Sequence, residues 1–429
     1  MKQNAANSIP KPSARVARFE QLGYGLFIHW GLYSQLGTGE WTLMHRKTPA
    51  KQYNKLAATF TAADFDARAW ARLAKAAGMK YITLTTRHHE GFSLYDTRGL
   101  SSFDAPHTPA GRDLVAEFVE GCRAEGIIPF FYHTTIDWQW WDKIDWPPAR
   151  DGGPRFAEYL DYFHASVEIL CKHYGKIGGL WFDGNWAHPD ADWKEDRLYA
   201  LIRKHQPEAM IINNTGIHAG GARGHAEIDS TTFEQGLPTR PDRRGWPKYL
   251  AGEMCQTLNA HWGLGARDFN YLSPAQIIQN LALSRRAGAN YLLNVGPTAQ
   301  GGIPDYEAAA LRRTGEWVAL HEAALRAAQP VDGVHCGGRD FVLKAGRRHY
   351  YFAFDLPIKG NDHVTIAGAS TLGLSRAIDG LKTKFTRARW LDNDESLDFA
   401  HDAKTGLLAL HCTPYPYGTQ LVVRIAELS

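Results

Sequence analysis

The sequence has few cysteines, and the spacing of these cysteines does not indicate that any two of them form a pair. An odd number without any Cys-x-x-Cys pair argues against a disulfide framework and against a cysteine-based zinc site. The cysteines are Cys122, Cys171, Cys255, Cys336 and Cys412.

Long apolar runs and an excess of one charge are also missing. No run approaches the length that spans a membrane, and residues 1–12 lack the apolar core of a signal peptide. We therefore expect a cytoplasmic protein without a membrane partner. The net charge is only +3 over 429 residues, and no basic run occurs, so nucleic acid is not expected as a partner.

Aromatic residues, by contrast, are abundant. They make up 12% of the chain and include 14 tryptophans. Flat aromatic faces beside polar groups suit a sugar, whose C–H bonds pack on indoles while its hydroxyls form hydrogen bonds. With 429 residues and a hydrophobic share of 44%, the chain is long enough for one large domain and a smaller one.

The most informative stretch is the run from Ile177 to Trp186. It is apolar up to Asp183, which a glycine follows, as in a buried parallel strand that delivers one acid to the pocket of a (β/α) barrel. Trp181 and Trp186 flank the acid, and no base in the stretch pairs with it. A capping role in a turn is the alternative. We interpret Asp183 as a catalytic nucleophile.

Polar residues follow other predicted strands in the same way. His29 follows the apolar run 24–28, His88 and His89 follow 81–85, and Tyr132 ends 127–132. Alternating strand and helix patterns predict a (β/α)8-like catalytic barrel over residues 1–330. An aromatic loop, residues 138–146, is predicted over the pocket mouth. Short alternating segments beyond residue 330 predict a small antiparallel β-sandwich over residues 331–429.

The histidine pair raises the question of a metal. His88, His89 and Asp183 are residues that zinc binds in metallohydrolases. However, the sequence contains neither His-x-His nor His-Glu-x-x-His spacing at this position. We therefore expect contacts to sugar hydroxyls, with no metal and no cofactor.

A retaining glycosidase needs a second carboxyl group. The two groups lie about 5–5.5 Å apart, so that one attacks the sugar while the other protonates the departing oxygen. Glu227 and Glu234 are seven residues apart and point to opposite sides if the segment is extended. Glu253 is a third candidate, although we expect it to pair with a base such as Arg267. The residues alone leave these three glutamates open.

Five motifs, in order, resemble glycoside hydrolase family 29, the α-L-fucosidases. The resemblance covers roughly residues 18–330 and is specific because independent motifs agree in order and spacing. The motifs are Gly25-Leu26-Phe27-Ile28-His29-Trp30-Gly31, Glu40-Trp41, His88-His89-Glu90-Gly91-Phe92, Trp181-Phe182-Asp183-Gly184 and Leu292-Leu293-Asn294-Val295-Gly296-Pro297.

The resemblance implies a role for each matching residue. Asp183 takes the place of the nucleophile and Glu234 that of the acid/base. Trp262, with Gly263, matches the aromatic-Gly pair that lies against the methyl group of the sugar. The residues that match those holding the fucose are His29, Glu40, Trp41, His88, His89, Tyr132 and Trp181.

Three positions depart from the family pattern. An arginine common after the strand that ends near Asn214 is missing, because Thr215 follows. Phe233 replaces the usual residue before the acid/base. Asn259 stands where some members have an acidic residue, and because an amide cannot donate a proton as an acid does, this favours Glu234.

The resemblance thus implies an exo-acting, metal-independent, retaining α-L-fucosidase. Its expected partner is a fucosylated oligosaccharide or glycoside with a terminal α-L-fucosyl residue. Two alternatives are a glycosidase with another sugar preference on the same barrel and a carbohydrate-binding protein with idle acids. The presence of both expected carboxyl groups argues against the second alternative.

Overall fold

Eight parallel strands form a closed barrel in the order in which they occur along the chain, with the first strand beside the eighth. The computed structural model describes residues 8–140, 148–215, 220–360, 374–416 and 422–429. The barrel strands are β1 Tyr24–Ile28, β2 Tyr81–Arg87, β3 Ile128–Thr134, β4 Gly179–Asp183, β5 Met210–Asn213, β6 Ser230–Glu234, β7 Ala251–Thr257 and β8 Ala289–Val295.

These strands are buried on both sides. Every residue of β1, β2, β5 and β8 is buried. A parallel strand covered on both faces needs a continuous apolar or β-branched run rather than an alternating one, and 81–85 is such a run. The barrel prediction is therefore confirmed, and the carboxyl ends of the strands meet on one face.

Several helices begin at an acidic N-cap. The helix that begins at Leu114 is capped by Asp113, whose side chain accepts a hydrogen bond from the Ala116 N–H. Within the described residues no helix is long and apolar enough to cross a membrane. The α-helices are α1 Ala14–Glu20, α2 Thr42–His45, α3 Ala50–Tyr53, α4 Ala67–Ala76, α5 Leu114–Glu125, α6 Phe156–His173, α7 Glu195–His205, α8 Pro274–Arg286 and α9 Asp305–Arg326.

Aromatic side chains fill the barrel interior. Helix α1 contributes Phe19, whose ring lies 5.7 Å from that of Tyr81 and 5.9 Å from that of Phe130. Phe27 and Trp181 continue this cluster, with ring centres 5.3 Å apart. The core thus ends directly beneath the strand ends that carry polar side chains.

The chain forms two compact units that alternate along the sequence. One unit runs to Tyr271 and includes Asn290–Ala309, and the other consists of Leu272–Ala289 with Ala310–Ser429. The boundary between a catalytic and a C-terminal domain at residue 330 stays a prediction.

Two antiparallel sheets make up most of the C-terminal part of the chain. A shared core of buried residues, including Tyr351 and Trp390 from one sheet and Leu408 from the other, identifies them as the predicted sandwich. One sheet consists of β15 Ala388–Trp390, β19 Arg424–Leu428, β12 Arg348–Ala353, β11 Phe341–Ala345 and β9 Gln329–Pro330. The other consists of β10 His335–Cys336, β14 Leu374–Asp379, β17 Leu407–Cys412 and β16 Phe399–Asp402. A separate pair is formed by β13 Ile358–Lys359 and β18 Tyr415–Pro416.

Candidate active site

The carboxyl ends of the barrel strands surround one small pocket. About 370 Å³ of space that no protein atom fills, part of it open to solvent, lies between the lining residues. Seven of the lining residues come from the sequence-derived list of substrate-binding residues, and two are the predicted catalytic acids. The lining residues are Phe27, His29, Trp41, His88, His89, Tyr132, Trp181, Asp183, Trp186, Asn214, Glu234 and Trp262.

Asp183 ends β4 and receives several hydrogen bonds. Tyr132 donates to its Oδ2 over 3.0 Å, and the Trp186 indole donates to its Oδ1 over 2.8 Å. The Nε2 atom of His89 lies 3.5 Å from Oδ2. Burial alone would raise the pKa of this carboxyl, but His89, Trp186 and Tyr132 together hold it below its ordinary value. Asp183 is therefore ionised at neutral pH.

The turn after Asp183 depends on Gly184. Its φ of +126° is a conformation that L side chains rarely adopt. A Cβ atom at this position would lie 2.6 Å from the Thr135 hydroxyl oxygen. The turn leads the chain back so that Trp186 reaches the carboxylate three residues before it.

His29 has a defined tautomer. The Asn294 amide donates to the Trp262 carbonyl over 2.7 Å, so its oxygen faces His29 Nδ1, at 2.6 Å, and accepts a hydrogen bond. Burial lowers the pKa of His29 to about 3, although Asn294 and Asp183 favour the charged form. The ring is therefore neutral, and its Nε2 is a hydrogen-bond acceptor.

The adjacent histidines are buried next to His29. The Thr134 hydroxyl donates to the Ile136 carbonyl, so it accepts a hydrogen bond from His89 Nδ1 over 2.6 Å and fixes this ring. His88 is neutral, because burial places its pKa well below the ordinary value. Its buried Nδ1 has no hydrogen-bond partner among the described residues.

Glu234 ends β6 and lies in a different electrostatic setting. Burial is the main cause that raises the pKa of Glu234 to about 7, and the charge of Asp183 is the second cause. The two carboxyl groups thus differ in protonation near neutrality, one ionised and the other largely protonated. This is the division between a nucleophile and a proton donor.

Asn214 connects these two carboxyl groups. Its Nδ2 atom donates to Asp183 Oδ1 over 3.3 Å and to Glu234 Oε2 over 2.6 Å. Because both bonds meet at one nitrogen, these oxygens are at most about 5.9 Å apart. At the ~120° angle between the N–H bonds of a planar amide, the separation is about 5 Å.

The other candidate glutamates lie away from the pocket. Glu227 is half-exposed and pairs with Arg203 over 3.1 Å. Glu253 is buried in the barrel interior, where it accepts hydrogen bonds from Tyr81 over 2.6 Å and from the Trp181 indole over 2.8 Å. The expected pairing of Glu253 with a base such as Arg267 is therefore wrong.

Glu40 is the one residue of the sequence-derived site that does not line the pocket. It is buried and accepts hydrogen bonds from the backbone N–H groups of Trp262, over 3.1 Å, and Gly263, over 2.8 Å. Glu40 thereby fixes the position of Trp262, whose ring centre is 5.0 Å from that of His29.

Tryptophans line the mouth of the pocket. Trp41 stacks on Trp186 with ring centres 5.9 Å apart and meets Trp138 edge to face at 5.2 Å. Trp138 belongs to the loop predicted over the mouth, but residues 141–146 of that loop lie outside the described residues. The rings form a flat apolar wall beside the carboxylates.

The sequence reasoning missed three lining residues, Phe27, Trp186 and Asn214. Trp186 carried a signal, since it is an indole three residues after the acid. Asn214 follows β5, so the rule that polar residues follow barrel strands would also have found it. For Phe27, inside a buried strand, the sequence offered no signal.

The described residues contain no group of three or more histidine, cysteine, aspartate or glutamate side chains arranged to hold a metal ion. His88, His89 and Asp183 were the predicted alternative for such a site. His89 is instead engaged with Thr134 and Asp183.

Comparison with known proteins places this site in a family. A family model described as alpha-L-fucosidase matches residues 3–323. The tissue alpha-L-fucosidase of Mus musculus is 28% identical over 344 residues, which are 73% of this chain and 71% of that protein.

Solved structures agree. Alpha-L-fucosidase isoenzyme 1 from Paenibacillus thiaminolyticus is 30% identical, with a TM-score of 0.80 and coverage of 97% of this chain and 98% of the other. A family 29 enzyme from Bacteroides thetaiotaomicron, described as a trapped covalent intermediate with 2-fluoro-fucosyl fluoride, has a TM-score of 0.79 at 21% identity. That similarity covers 99% of this chain and 97% of the other, and shows the fold. On the family match and on the 30% identity, this chain belongs to the α-L-fucosidase family of glycoside hydrolases.

Proposed function

We propose that the protein is a retaining, exo-acting α-L-fucosidase that hydrolyses terminal α-L-fucosyl residues of glycans or glycosides. The observation that carries the proposal is the shared Asn214 nitrogen, which keeps Asp183 and Glu234 within about 5.9 Å of each other. Inverting glycosidases need about 6.5–9.5 Å between these groups to admit a water molecule. The separation here suits a double displacement.

The first step forms a covalent intermediate. An oxygen of Asp183 attacks the anomeric carbon while the bond from that carbon to the aglycone oxygen breaks, and Glu234 gives its proton to that oxygen. Asp183 is then an ester and Glu234 an anion. A covalent intermediate of this kind was trapped in the Bacteroides thetaiotaomicron structure.

The second step releases the sugar. Glu234, now a carboxylate, takes a proton from a water molecule, whose oxygen attacks the anomeric carbon from the side the aglycone left. The ester bond to Asp183 breaks, which restores both groups to their starting states. Two inversions at the same carbon give net retention.

The pocket is suited to one small sugar with several hydroxyls. The neutral His29 ring offers an acceptor nitrogen to a hydroxyl, and the His88 ring also lines the pocket. The faces of Trp181 and Trp262 offer apolar contact. The preference for fucose itself rests on the family.

A panel of aryl glycosides tests the proposal. Purified enzyme should hydrolyse the α-L-fucoside and leave the α-L-galactoside, β-D-galactoside and β-D-xyloside largely intact. NMR of the fresh reaction should show α-L-fucose as the first-formed anomer. β-L-Fucose as the first product would contradict a double displacement, and preference for another sugar would contradict the substrate assignment.

We further propose a cytoplasmic location. All five cysteines are free thiols, which fits a reducing compartment. Detection of the native protein in the soluble cytoplasmic fraction would agree. Its recovery outside the cytoplasm would contradict the assignment.

A further inference from the structure

Asn214 occupies a place that the barrel order determines. Strand β5 lies between β4, which ends in Asp183, and β6, which ends in Glu234. The backbone N–H of Asn214 donates to the Phe182 carbonyl over 2.8 Å and extends the ladder between β4 and β5 by one residue. The side chain is therefore fixed between the two acids.

The orientation of the Asn214 amide is also set. The hydroxyl of Thr232 on β6 donates to its Oδ1 over 3.0 Å. This contact places the amide NH₂ group toward the carboxyl oxygens of Asp183 and Glu234. A flipped amide would set its oxygen against the anionic Oδ1 of Asp183 and would lose the hydrogen bond to Glu234.

The Asn214 side chain is uncharged and lies between two acids. The ionisable groups that act on Glu234 are the carboxyls of Asp183 and Glu40, and Tyr132 and Cys255 also face it. His89 reaches Asp183 from the opposite side. A cation between the acids would favour the charged form of both, whereas an amide leaves the repulsion between them in place.

We propose that Asn214 is a positioning residue that clamps Asp183 and Glu234 at the separation needed for double displacement and, because it is neutral, lets the charge of Asp183 keep Glu234 protonated. This inference rests on the proposed function. Throughout the cycle one N–H group of the Asn214 amide stays hydrogen-bonded to Glu234. This hydrogen bond is strongest after proton transfer, when Glu234 is an anion. The clamp thus supports the covalent intermediate as well as the resting state.

The test compares Asn214→Leu with Asn213→Leu. Leucine resembles asparagine in shape but cannot donate a hydrogen bond. Asn213 is equally buried on the same strand, yet its amide faces Tyr199 over 3.1 Å. The control therefore loses a buried amide outside the pocket.

In Asn214→Leu, Glu234 loses the hydrogen bond that it accepts from the amide, and this loss disfavours the anionic form of Glu234. We expect the basic limb of the kcat/KM profile on an aryl α-L-fucoside to move up by about 1 pH unit in Asn214→Leu. We expect kcat to fall roughly 10- to 100-fold. Asn213→Leu should keep the wild-type limb. A basic limb of Asn214→Leu at the wild-type pH would overturn the proposal.

Thr232→Val is the second variant, should Asn214→Leu fail to fold. It removes only the hydroxyl that orients the amide, so the limb should move in the same direction by a smaller amount. An unchanged limb in Thr232→Val would then overturn the proposal. Failure of the proposed function is distinguishable, because the wild-type enzyme itself would then not hydrolyse the fucoside or would invert it.

Discussion

Two carboxyl groups on neighbouring parts of one barrel face carry opposite shifts in pKa. Asp183 receives hydrogen bonds from Tyr132 and Trp186, which favour the anion, whereas Glu234 is buried beside the anion of Asp183. The sequence could suggest the pair from their places at strand ends. It could not supply the donor Tyr132, which lies 51 residues earlier in the chain.

Asp183→Ala should fold normally and lower turnover on an aryl α-L-fucoside by about 10³-fold or more, because the covalent step loses its nucleophile. Azide should partly restore turnover by attacking the sugar in the space left by the side chain. The measurement is kcat with and without azide. The assignment fails if Asp183→Ala keeps near-normal activity without azide.

Glu234→Ala should separate two kinds of substrate. An aryl fucoside whose leaving group departs without a proton should still form the covalent intermediate at nearly the wild-type rate, as pre-steady-state kinetics would show. Cleavage of a natural fucosyl linkage should slow by roughly 10²- to 10⁴-fold. The basic limb near pH 7 should disappear, since the pKa of about 7 belongs to Glu234.

Glu234 must be protonated to act as a proton donor, so activity is lost on the basic side of the pH profile. Activity of the wild-type enzyme should fall about tenfold per pH unit above pH 7. Glu227→Ala is the matched control, because Glu227 lies outside the pocket and pairs with Arg203. If Glu227→Ala loses the basic limb while Glu234→Ala keeps it, the acid/base is Glu227.

At the scale of single elements, sequence patterns located the barrel strands well. The strand predicted at 81–85 is β2, and the central stretch ends at Asp183 as expected. Helix starts were predicted less well. The pattern of residues 192–205 predicts a helix from Asp192, but α7 begins at Glu195, after Lys194 adopts a left-handed conformation with a φ of +52°. The Asp192 side chain accepts a hydrogen bond from the Lys194 N–H over 3.1 Å, and this turn precedes the helix.

Asp229 is a second residue whose structural role the neighbouring sequence does not reveal. It precedes β6, whereas Glu234 ends it, so the two acids lie at opposite ends of the strand. Asp229 is buried and accepts hydrogen bonds from Arg15 of α1, over 2.9 and 3.0 Å, and from Arg203 of α7, over 2.7 Å. It thus ties two helices to the start of the strand.

Asp229→Asn should destabilise the fold by about 1.5–3 kcal/mol, because Arg15 and Arg203 lose their charged hydrogen-bond acceptor while Arg203 keeps Glu227. Burial would raise the pKa of Asp229, but Arg15 and Arg203 hold it below its ordinary value. Its contribution is therefore present at neutral pH and lost as the pH falls below about 4. Urea unfolding measures the effect.

Asp242→Asn provides the control for that variant. Asp242 pairs with Arg244 at the exposed surface, where water screens the pair, so its loss should hardly change the unfolding midpoint. Equal unfolding midpoints for the two variants would contradict the role assigned to Asp229.

At the scale of the whole molecule, buried acids set how stability depends on pH. Glu307 in α9 is buried and accepts a hydrogen bond from the Gly296 N–H over 3.1 Å. Burial raises its pKa to about 8. The folded chain therefore holds a proton there that the unfolded chain releases above about pH 4.5, so stability falls as the pH rises toward 8 and then levels off.

Glu307→Gln should remove this dependence while keeping an acceptor for Gly296. Near pH 5 the variant and the wild type should melt alike, and at pH 8.5 the variant should melt roughly 2–8 °C higher. Glu316→Gln, an exposed change of the same charge, is the control. A constant difference between variant and wild type from pH 5 to 8.5 would contradict the assignment.

The pairing of the first barrel strand with the last has a consequence for how the enzyme is made. Asn294 of β8 holds the His29 ring that follows β1, so the earliest part of the pocket takes its final hydrogen bond from the latest. During synthesis, Asp183 and Glu234, the proposed catalytic acids, leave the ribosome well before Asn294 does. In the nascent chain both acids are therefore present before the pocket around them is complete. Activity begins only when β8 has paired with β1 and closed the barrel.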